Sequence, residues 1–349
     1  MNLLLFSSDV RRQYAKDVLT ALAAPPGAVL RFRYRPEHVP PEVREAISSG
    51  AVVGADTMVC FVSGLVTKQP FMLPVRLATV VQAHLRGGTY VFNLRAGGYV
   101  DLRHRAEQLA NLIVESKKLL ADPHRRRRAA VHVVPRLPPA VDAVAADGAW
   151  DAWDETARRL AQHPTYADTY FLKLELTPTR PDQPVGFGPG GQLEVVDGQS
   201  FQLVATVYAQ NYTPTDRWKV ECTTGGSHLR VVSPDTHGIE LKHDSVEFWL
   251  ESSAARGKAL SLATLQLARA DGDVDSLDTL LGIPVLVRPS RRRLAGRILV
   301  TSIGALLVAL PAVLGDSSPV WLSVCLALAG ASLLATASIL LGDGSQRGS

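Results

Sequence analysis

The sequence predicts a multidomain chain: an amino-terminal α+β domain with a mixed sheet or half-open barrel, a central antiparallel β-sandwich that is immunoglobulin-like by analogy, and a carboxy-terminal two-helix transmembrane hairpin. Helical and strand patterns alternate in the first third, short strands dominate the middle, and two long uncharged runs come last. The predicted boundaries are 1–134, 135–164 for a linker and a short amphipathic helix, 165–288, and 289–349 for an arginine collar and the hairpin.

Charge is unevenly distributed along the chain. Residues 1–135 carry 19 basic and 10 acidic side chains, residues 136–287 carry 12 and 21, and residues 288–349 carry 6 and 2. With 46% apolar and 20% charged residues, the composition excludes a chain that is disordered throughout. The first two blocks carry +9 and −9, and we expect them to dock on each other or between copies.

Residue usage indicates the cellular setting. Arginine outnumbers lysine 29 to 8 beside many Ala, Val and Pro, which is typical of a GC-rich bacterial genome. Cys60, Cys222 and Cys325 are isolated and odd in number, so we expect a reducing compartment rather than disulfides or a zinc site. Residues 1–6 lack the basic region of a signal peptide, and none is expected.

One strand pattern in the first domain suggests a ligand. In 29–35, strict alternation puts Phe32 and Tyr34 on one face of a strand and three arginines on the other. With two more arginines at a nearby helix start, this stripe is first interpreted as a solvated face or docking surface, and a site for an anionic small molecule or nucleic acid is the alternative. The candidate residues are Arg11, Arg12, Arg31, Arg33 and Arg35.

The central region predicts packing more clearly than chemistry. Residues 150–160 form an amphipathic helix with Trp150 and Trp153 as packing anchors, and nine short strands follow between 171 and 287. We predict no metal site and no cofactor, because the motifs that imitate them lack the required neighbours. These motifs are the glycines at 186–191, the aspartates at 271, 273 and 275, and the trio His237, Glu240 and His243.

Two runs near the end of the chain contain no Asp, Glu, Lys, Arg or His. Residues 298–315 and 320–342 would span about 27 and 35 Å as helices, against a hydrocarbon core of about 30 Å. The four residues between them allow only a tight turn. Arginines flank the hairpin. By the positive-inside rule, we therefore expect a bacterial inner-membrane protein with both termini on the cytoplasmic side. The flanking set is Arg288, Arg291, Arg292, Arg293 and Arg297.

Small residues recur every four positions in both runs, which lets helices approach closely in lipid. We expect these ridges to pack the two helices on each other; homo-oligomerisation and a pore are the alternatives. The ridge residues are Thr301, Ala305, Ala309, Ser323, Ala327, Ala331 and Ala335.

The leading functional hypothesis is a non-enzymatic inner-membrane protein whose cytosolic domains recognise a partner or ligand at the membrane surface. The expected partners are the lipid bilayer and a protein or a second copy. One alternative is a membrane-perturbing effector of a bacterial defence system, which clusters its hairpins on sensing a cytosolic signal. Another is an enzyme that uses Ser8 or Asp9 with Arg31 or Arg33 in a cleft, although no catalytic signature is found.

Overall fold

The structure is a computed structural model of the 349-residue chain. It describes residues 3–8, 11–63, 71–100, 130–134, 149–181, 184–211, 217–253, 257–270, 277–314, 324–326 and 328–332. The helix predicted for 103–120 and most of the linker lie outside this part of the chain.

The amino-terminal domain contains a six-stranded sheet with strand order β2-β5-β4-β3-β1-β6. β1 and β3 are parallel, and the other neighbouring pairs are antiparallel, which confirms the predicted mixed sheet. The strands are β1 Leu3–Ser8, β2 Val29–Tyr34, β3 Asp56–Ser63, β4 Phe71–Arg86, β5 Thr89–Ala96 and β6 Val131–Val134. α1 Arg12–Ala23 follows β1, and η1 Pro36–His38 and α2 Pro41–Ser48 follow β2.

This sheet curls strongly. β1 and β2 lie four positions apart in the strand order, which in a flat sheet would separate them by about 19 Å. The ring of Phe6 on β1 nevertheless lies 6.0 Å from Phe32 on β2 and 5.0 Å from Phe92 on β5. The Ala130 N–H, just before β6, donates to His38 O just after β2, at 2.9 Å. The two edges therefore approach each other, and the sheet forms a half-barrel around an aromatic core.

α1 packs the half-barrel against the sandwich. Its apolar residues recur with helical spacing, and Val18, Leu19 and Leu22 are fully buried. The helix contacts β3 and β4 on one side and the sandwich strands β7 and β16 on the other. Lys16 adds an ion pair with Asp278, 3.8 Å apart. The two oppositely charged blocks therefore pack together, and the contact is mainly apolar.

The predicted amphipathic helix is α3 Ala149–Ala161, followed by η2 Pro164–Tyr166. Trp153, Ala157 and Leu160 are fully buried, so Trp153 is the packing anchor that the sequence predicted. α3 packs against β4, and the Tyr166 hydroxyl points at the Ala15 carbonyl of α1. This segment therefore belongs to the same continuous core as the half-barrel.

The sandwich has a four-stranded layer, β12-β14-β10-β7, and a six-stranded layer, β13-β11-β15-β16-β9-β8. Pairing is antiparallel except between β16 and β9. His237 and Phe248 meet across the layers with ring centroids 5.2 Å apart. The strands are β7 Phe171–Pro178, β8 Gly186–Phe187, β9 Leu193–Val196, β10 Ser200–Tyr208, β11 Trp218–Gly225, β12 Leu229–Val231, β13 Thr236–Ile239, β14 His243–Ser252, β15 Ala259–Arg269 and β16 Thr279–Arg288.

After β16, the chain enters α4 Arg291–Leu314. Among the residues that the structure describes, no helix combines the length and apolar character needed to cross a membrane. The predicted transmembrane hairpin is therefore not supported by the structure. Of the second predicted span, 324–326 and 328–332 are described, and they are helical.

The turn between β8 and β9 gives a test of how the two domains fit. Gly191 has a φ of +75°, and a Cβ there would overlap the Val29 side chain at the start of β2. We expect Gly191→Ala to lower the free energy of unfolding by about 2 kcal/mol, since left-handed strain adds to the overlap. Urea titration measures this change. Gly88 has a nearly equal φ of +74° and a Cβ there would meet nothing within 4 Å, so Gly88→Ala is the control for strain alone, and equal losses in the two variants would contradict the packing.

Candidate anion-binding face

β2 carries the arginine stripe on its outer face. Phe32 and Tyr34 are buried at 3% and 2% exposure, whereas Arg31, Arg33 and Arg35 are exposed. The burial pattern of β2 is thus the predicted alternation, because a half-barrel wall has one apolar side and one solvated side.

The register of the sheet adds residues that the sequence did not identify. Arg31 lies opposite Asn93 of β5, which lies opposite Gln82 of β4, and the Asn93 amide donates to Gln82 Oε1 at 2.9 Å. In the next row, Arg33 lies opposite Val91, and Val91 opposite His84.

A third row lies at the end of these strands. Tyr34 of β2 lies opposite Tyr90 of β5, and the next residues along are Arg35 and Thr89. Arg86 of β4 lies opposite Thr89 on the other side. We call this surface the basic face. It comprises Arg31, Arg33, Arg35, Gln82, His84, Arg86 and Asn93.

The basic face has no acidic side chain within its own strands, since β2, β4 and β5 contain neither aspartate nor glutamate. Its four arginines are exposed, so their positive charges are not neutralised by a neighbour on the same strands. Guanidinium groups bind phosphate and carboxylate groups with paired hydrogen bonds, and side-chain amides add neutral donors. The arrangement is therefore suited to binding a polyanion along the sheet.

Arg11 and Arg12 lie elsewhere. Arg11 is the residue that precedes α1, and its guanidinium lies 4.3 Å from the centre of the Tyr14 ring. Arg12 is the first residue of α1. Neither residue is on β2, β4 or β5, so the structure gives no grouping of these two arginines with the rows of the basic face.

The flanking arginines divide into two groups. Arg288 is the last residue of β16 and forms an ion pair with Glu194 of β9, so it belongs to the sandwich. Arg291, Arg292, Arg293 and Arg297 lie in the first two turns of α4.

The predicted small-residue ridges are only partly described. Thr301, Ala305 and Ala309 are exposed, and so is Ala331. The close approach is made instead by Gly330, where a Cβ would lie 2.8 Å from the carbonyl oxygen of Gly304. Ser323, Ala327 and Ala335 lie outside the described residues.

A serine–histidine pair connects β3 to η2. Ser63 Oγ lies 2.8 Å from His163 Nε2, and the Thr165 N–H donates to His163 Nδ1 at 3.2 Å. Nδ1 is therefore an acceptor, so in the neutral ring Nε2 carries the proton and donates to Ser63. In this tautomer His163 cannot accept the Ser63 proton, as nucleophilic catalysis would require. Burial also lowers the pKa of His163, which favours the neutral ring.

Two polar groups lie on or beside α1: Asp17 of the helix is half-buried, and Tyr34 of β2 is buried. Burial raises the pKa of Asp17 to about 6. Burial, followed by the charges of Asp17 and Tyr14, raises the pKa of Tyr34. The Tyr34 hydroxyl has no hydrogen-bond partner within the described part of the chain. Both groups are therefore kept uncharged over a wider pH range than in water.

Arg76, in the middle of β4, is fully buried. Its Nε donates to Gly97 O at 2.8 Å, and its guanidinium carbon lies 3.8 Å from the centre of the Tyr99 ring. Nη1 and Nη2 find no hydrogen-bond acceptor in the described structure, and burial lowers the pKa of this group. The only sequence signal was a lone arginine in an apolar strand, which does not reveal that its partner is an aromatic ring.

The remaining motifs form no ligand cluster. Gly186 lies in β8, and the glycines after it form the turn that contacts β2. The aspartates at 271, 273 and 275 lie outside the described residues. Within those residues, no group of three His, Cys, Asp or Glu side chains is arranged to hold a metal ion.

No protein-family model and no curated protein matches this chain. Among solved structures, the Escherichia coli chaperone DraB is similar, with 15% identity and a TM-score of 0.20 over 33% of this chain and 55% of DraB. A conjugative transposon lipoprotein from Bacteroides eggerthii shows 13% identity and a TM-score of 0.20 over 33% and 95% of the two chains.

PapD-like domain 7 of human CEP192 shows 9% identity and a TM-score of 0.20 over 34% and 84%. At this level of similarity, none of the three supports an argument about fold or function.

Asp17 makes stability depend on pH. Because its pKa is raised from 3.8 to about 6, the folded chain retains a proton that the unfolded chain has already lost, and stability falls as pH rises through this interval. At pH 7 the Asp17 carboxylate is mostly charged in the folded chain, and its desolvation lowers the free energy of unfolding. We expect Asp17→Asn to raise the free energy of unfolding at pH 7 by roughly 1 kcal/mol, since the carboxyl is only partly buried.

Urea titrations at pH 7 and pH 4.5 measure this difference, which should shrink at the lower pH. Glu240→Gln, at an exposed carboxyl between β13 and β14, is the control and should change stability equally little at both. A gain from Asp17→Asn that is larger at pH 4.5 than at pH 7 would contradict the assignment.

Proposed function

We propose that this protein is a non-enzymatic recognition protein of a bacterial inner membrane, which binds an anionic partner through the basic face. The observation that carries the proposal is the set of exposed arginines arranged on β2 and β4 without a carboxylate on the same strands. An outer sheet face of this kind attracts a polyanion over several ångströms, because unneutralised guanidinium groups add their potentials.

Recognition is favoured over catalysis by the Ser63 and His163 pair. The Thr165 N–H occupies His163 Nδ1, so the neutral ring would present a proton, and not a lone pair, to Ser63. The hydrogen bond instead links two elements of the scaffold. The half-buried His163 ring also packs against Phe61, with the two ring centroids 4.9 Å apart.

The membrane attachment is proposed from the carboxy-terminal sequence. Residues 298–315 and 320–342 contain no Asp, Glu, Lys, Arg or His side chain. In the described helical parts, large apolar residues face outward instead of packing on the sandwich, with Leu306 and Leu328 both 62% exposed. Such exposure is costly in water and favourable in lipid. The contact of Gly330 with Gly304 supports a close pair of helices, since small residues allow this approach.

The link between the sandwich and the proposed membrane anchor is short. Only two residues separate the end of β16 from the start of α4, so the sandwich would lie directly at the membrane surface. α1 holds the half-barrel against the sandwich, and the basic face would therefore be presented at a fixed position relative to the bilayer.

The first experiment tests the basic face. We expect Arg31→Glu combined with Arg33→Glu to weaken binding to a 20-nucleotide oligothymidylate, used as a generic polyanion, and to lower the slope of log K against log salt by at least about 1.4, because two phosphate contacts are lost. Fluorescence anisotropy across a salt series measures both quantities. Arg180→Glu with Arg217→Glu makes the same charge change on the sandwich. Equal weakening in both double variants would refute a specific role for the face.

The second experiment tests attachment. We expect the full chain to remain with the membrane fraction after a high-salt wash, and Ile303→Asp with Leu306→Asp to release it, because each aspartate near the centre of a spanning helix costs about 3 kcal/mol. Immunoblotting of the fractions measures the release. The matched control, Ile303→Ala with Leu306→Ala, should stay with the membrane. Recovery of the unaltered chain in the soluble fraction would show that the attachment is wrong.

A further inference from the structure

An open groove of about 530 Å³ lies on the sandwich, between β13 of one layer and β14 of the other. It is distinct from the basic face, which lies on the half-barrel. Its volume is within the range of ligand-binding sites in proteins. Its walls include Ser233, His237, Gly238, Ser245, Glu247 and Trp249.

One wall of the groove is an unpaired strand edge. β12 pairs with β14 only as far as Val231, which lies opposite Leu250. Beyond that point the Val232 N–H donates to Trp249 O at 2.8 Å, and the Trp249 N–H donates to Ser233 Oγ at 3.1 Å. The chain then leaves to form β13 in the other layer.

The direction of the Trp249 backbone hydrogen bonds shows which other backbone groups of β14 face away from β10. Backbone groups alternate along an antiparallel strand, so those of Glu247 and Ser245 also face away from β10. The Ser245 N–H is accepted by Asp244 Oδ1 at 2.8 Å. No strand of the described structure pairs with this stretch of the edge, and both backbone groups of Glu247 face the groove.

The opposite wall is also a strand edge. β13 is the terminal strand of its layer and, in the described structure, pairs with β11 alone. His237 and Gly238 of β13 line the groove. An extended segment entering here would continue the line of β12 along β14, in the space between the edges of the two layers.

The side chains indicate which segment fits. Glu247 and Trp249 are two residues apart and exposed on the outer face of β14, with Trp249 42% exposed, whereas Val246 and Phe248 face the core. Between 233 and 251 the sequence has five carboxylates and one lysine, and one of these carboxylates, Glu251, is paired with Arg230. A neighbouring strand would place alternate side chains beside Glu247 and Trp249, where a guanidinium can pair with the carboxylate and stack on the indole.

We propose that this groove binds an extended segment of a partner protein, which adds to β14 as a strand and carries basic residues alternating with small apolar residues. The backbone edge supplies affinity without regard to sequence, and Glu247 with Trp249 supplies the preference for basic side chains.

A blocked pentapeptide of alternating arginine and valine is the probe, and calorimetric titration of the full chain measures its Kd. We expect binding that weakens at least tenfold with Glu247→Lys and with Trp249→Ala. Glu247→Gln, which keeps the shape of the side chain, should weaken binding in the same direction if either variant fails to fold. Glu42→Lys makes the same charge change on α2 and should alter the Kd less than twofold.

Two further peptides separate strand addition from charge alone. The N-methylated form keeps the arginines but lacks backbone N–H groups, and it should bind at least tenfold more weakly. A peptide with glutamate in place of arginine should bind more weakly still. The proposal is overturned if the N-methylated peptide binds as well as the parent, if the glutamate peptide does so, or if no groove variant changes the Kd.

Discussion

The packing of α1 is the interaction on which the rest of the structure depends. Its apolar residues, with Val18, Leu19 and Leu22 fully buried, lie between the half-barrel and strands β7 and β16 of the sandwich. Burying three such side chains contributes several kcal/mol, at about 1.5 to 3 each. Without this helix, the half-barrel and the sandwich would lose the apolar layer that joins them, and only smaller contacts, such as that of the β8–β9 turn with Val29, would remain among the described residues.

The packing of α1 also determines which polar groups lie away from water. Asp17 lies on α1 between its buried positions, and Tyr99 donates its hydroxyl to the Leu22 carbonyl at 2.9 Å while its ring covers Arg76. An unpaired charge in a core is destabilising, and a cation over an aromatic face offsets only part of that cost. The packing around α1 therefore combines favourable apolar contacts with ionisable groups whose partial or full burial lowers the free energy of unfolding.

Local periodicity predicted most elements of the fold. The alternation in β2, the strands of the sandwich and the Trp153 helix all follow from patterns within about ten residues. The basic face could not be predicted from local patterns. Its residues Gln82, His84, Arg86 and Asn93 lie beside the β2 arginines only because of the register across three strands, which includes a bulge between Val80 and Gln82. Hydropathy alone predicted the carboxy-terminal hairpin, and Gly304 with Gly330, rather than the expected alanine ridges, make the described helix contact.

The route from β16 to α4 has a mechanical consequence. β16 is hydrogen-bonded on both edges, to β15 and to β9, and it also contacts α1. A force applied along α4 passes through Pro289 and Ser290 into this strand and loads both rows of backbone hydrogen bonds together. Tilting or displacing the helix would therefore move the sandwich and, through α1, the half-barrel as one body.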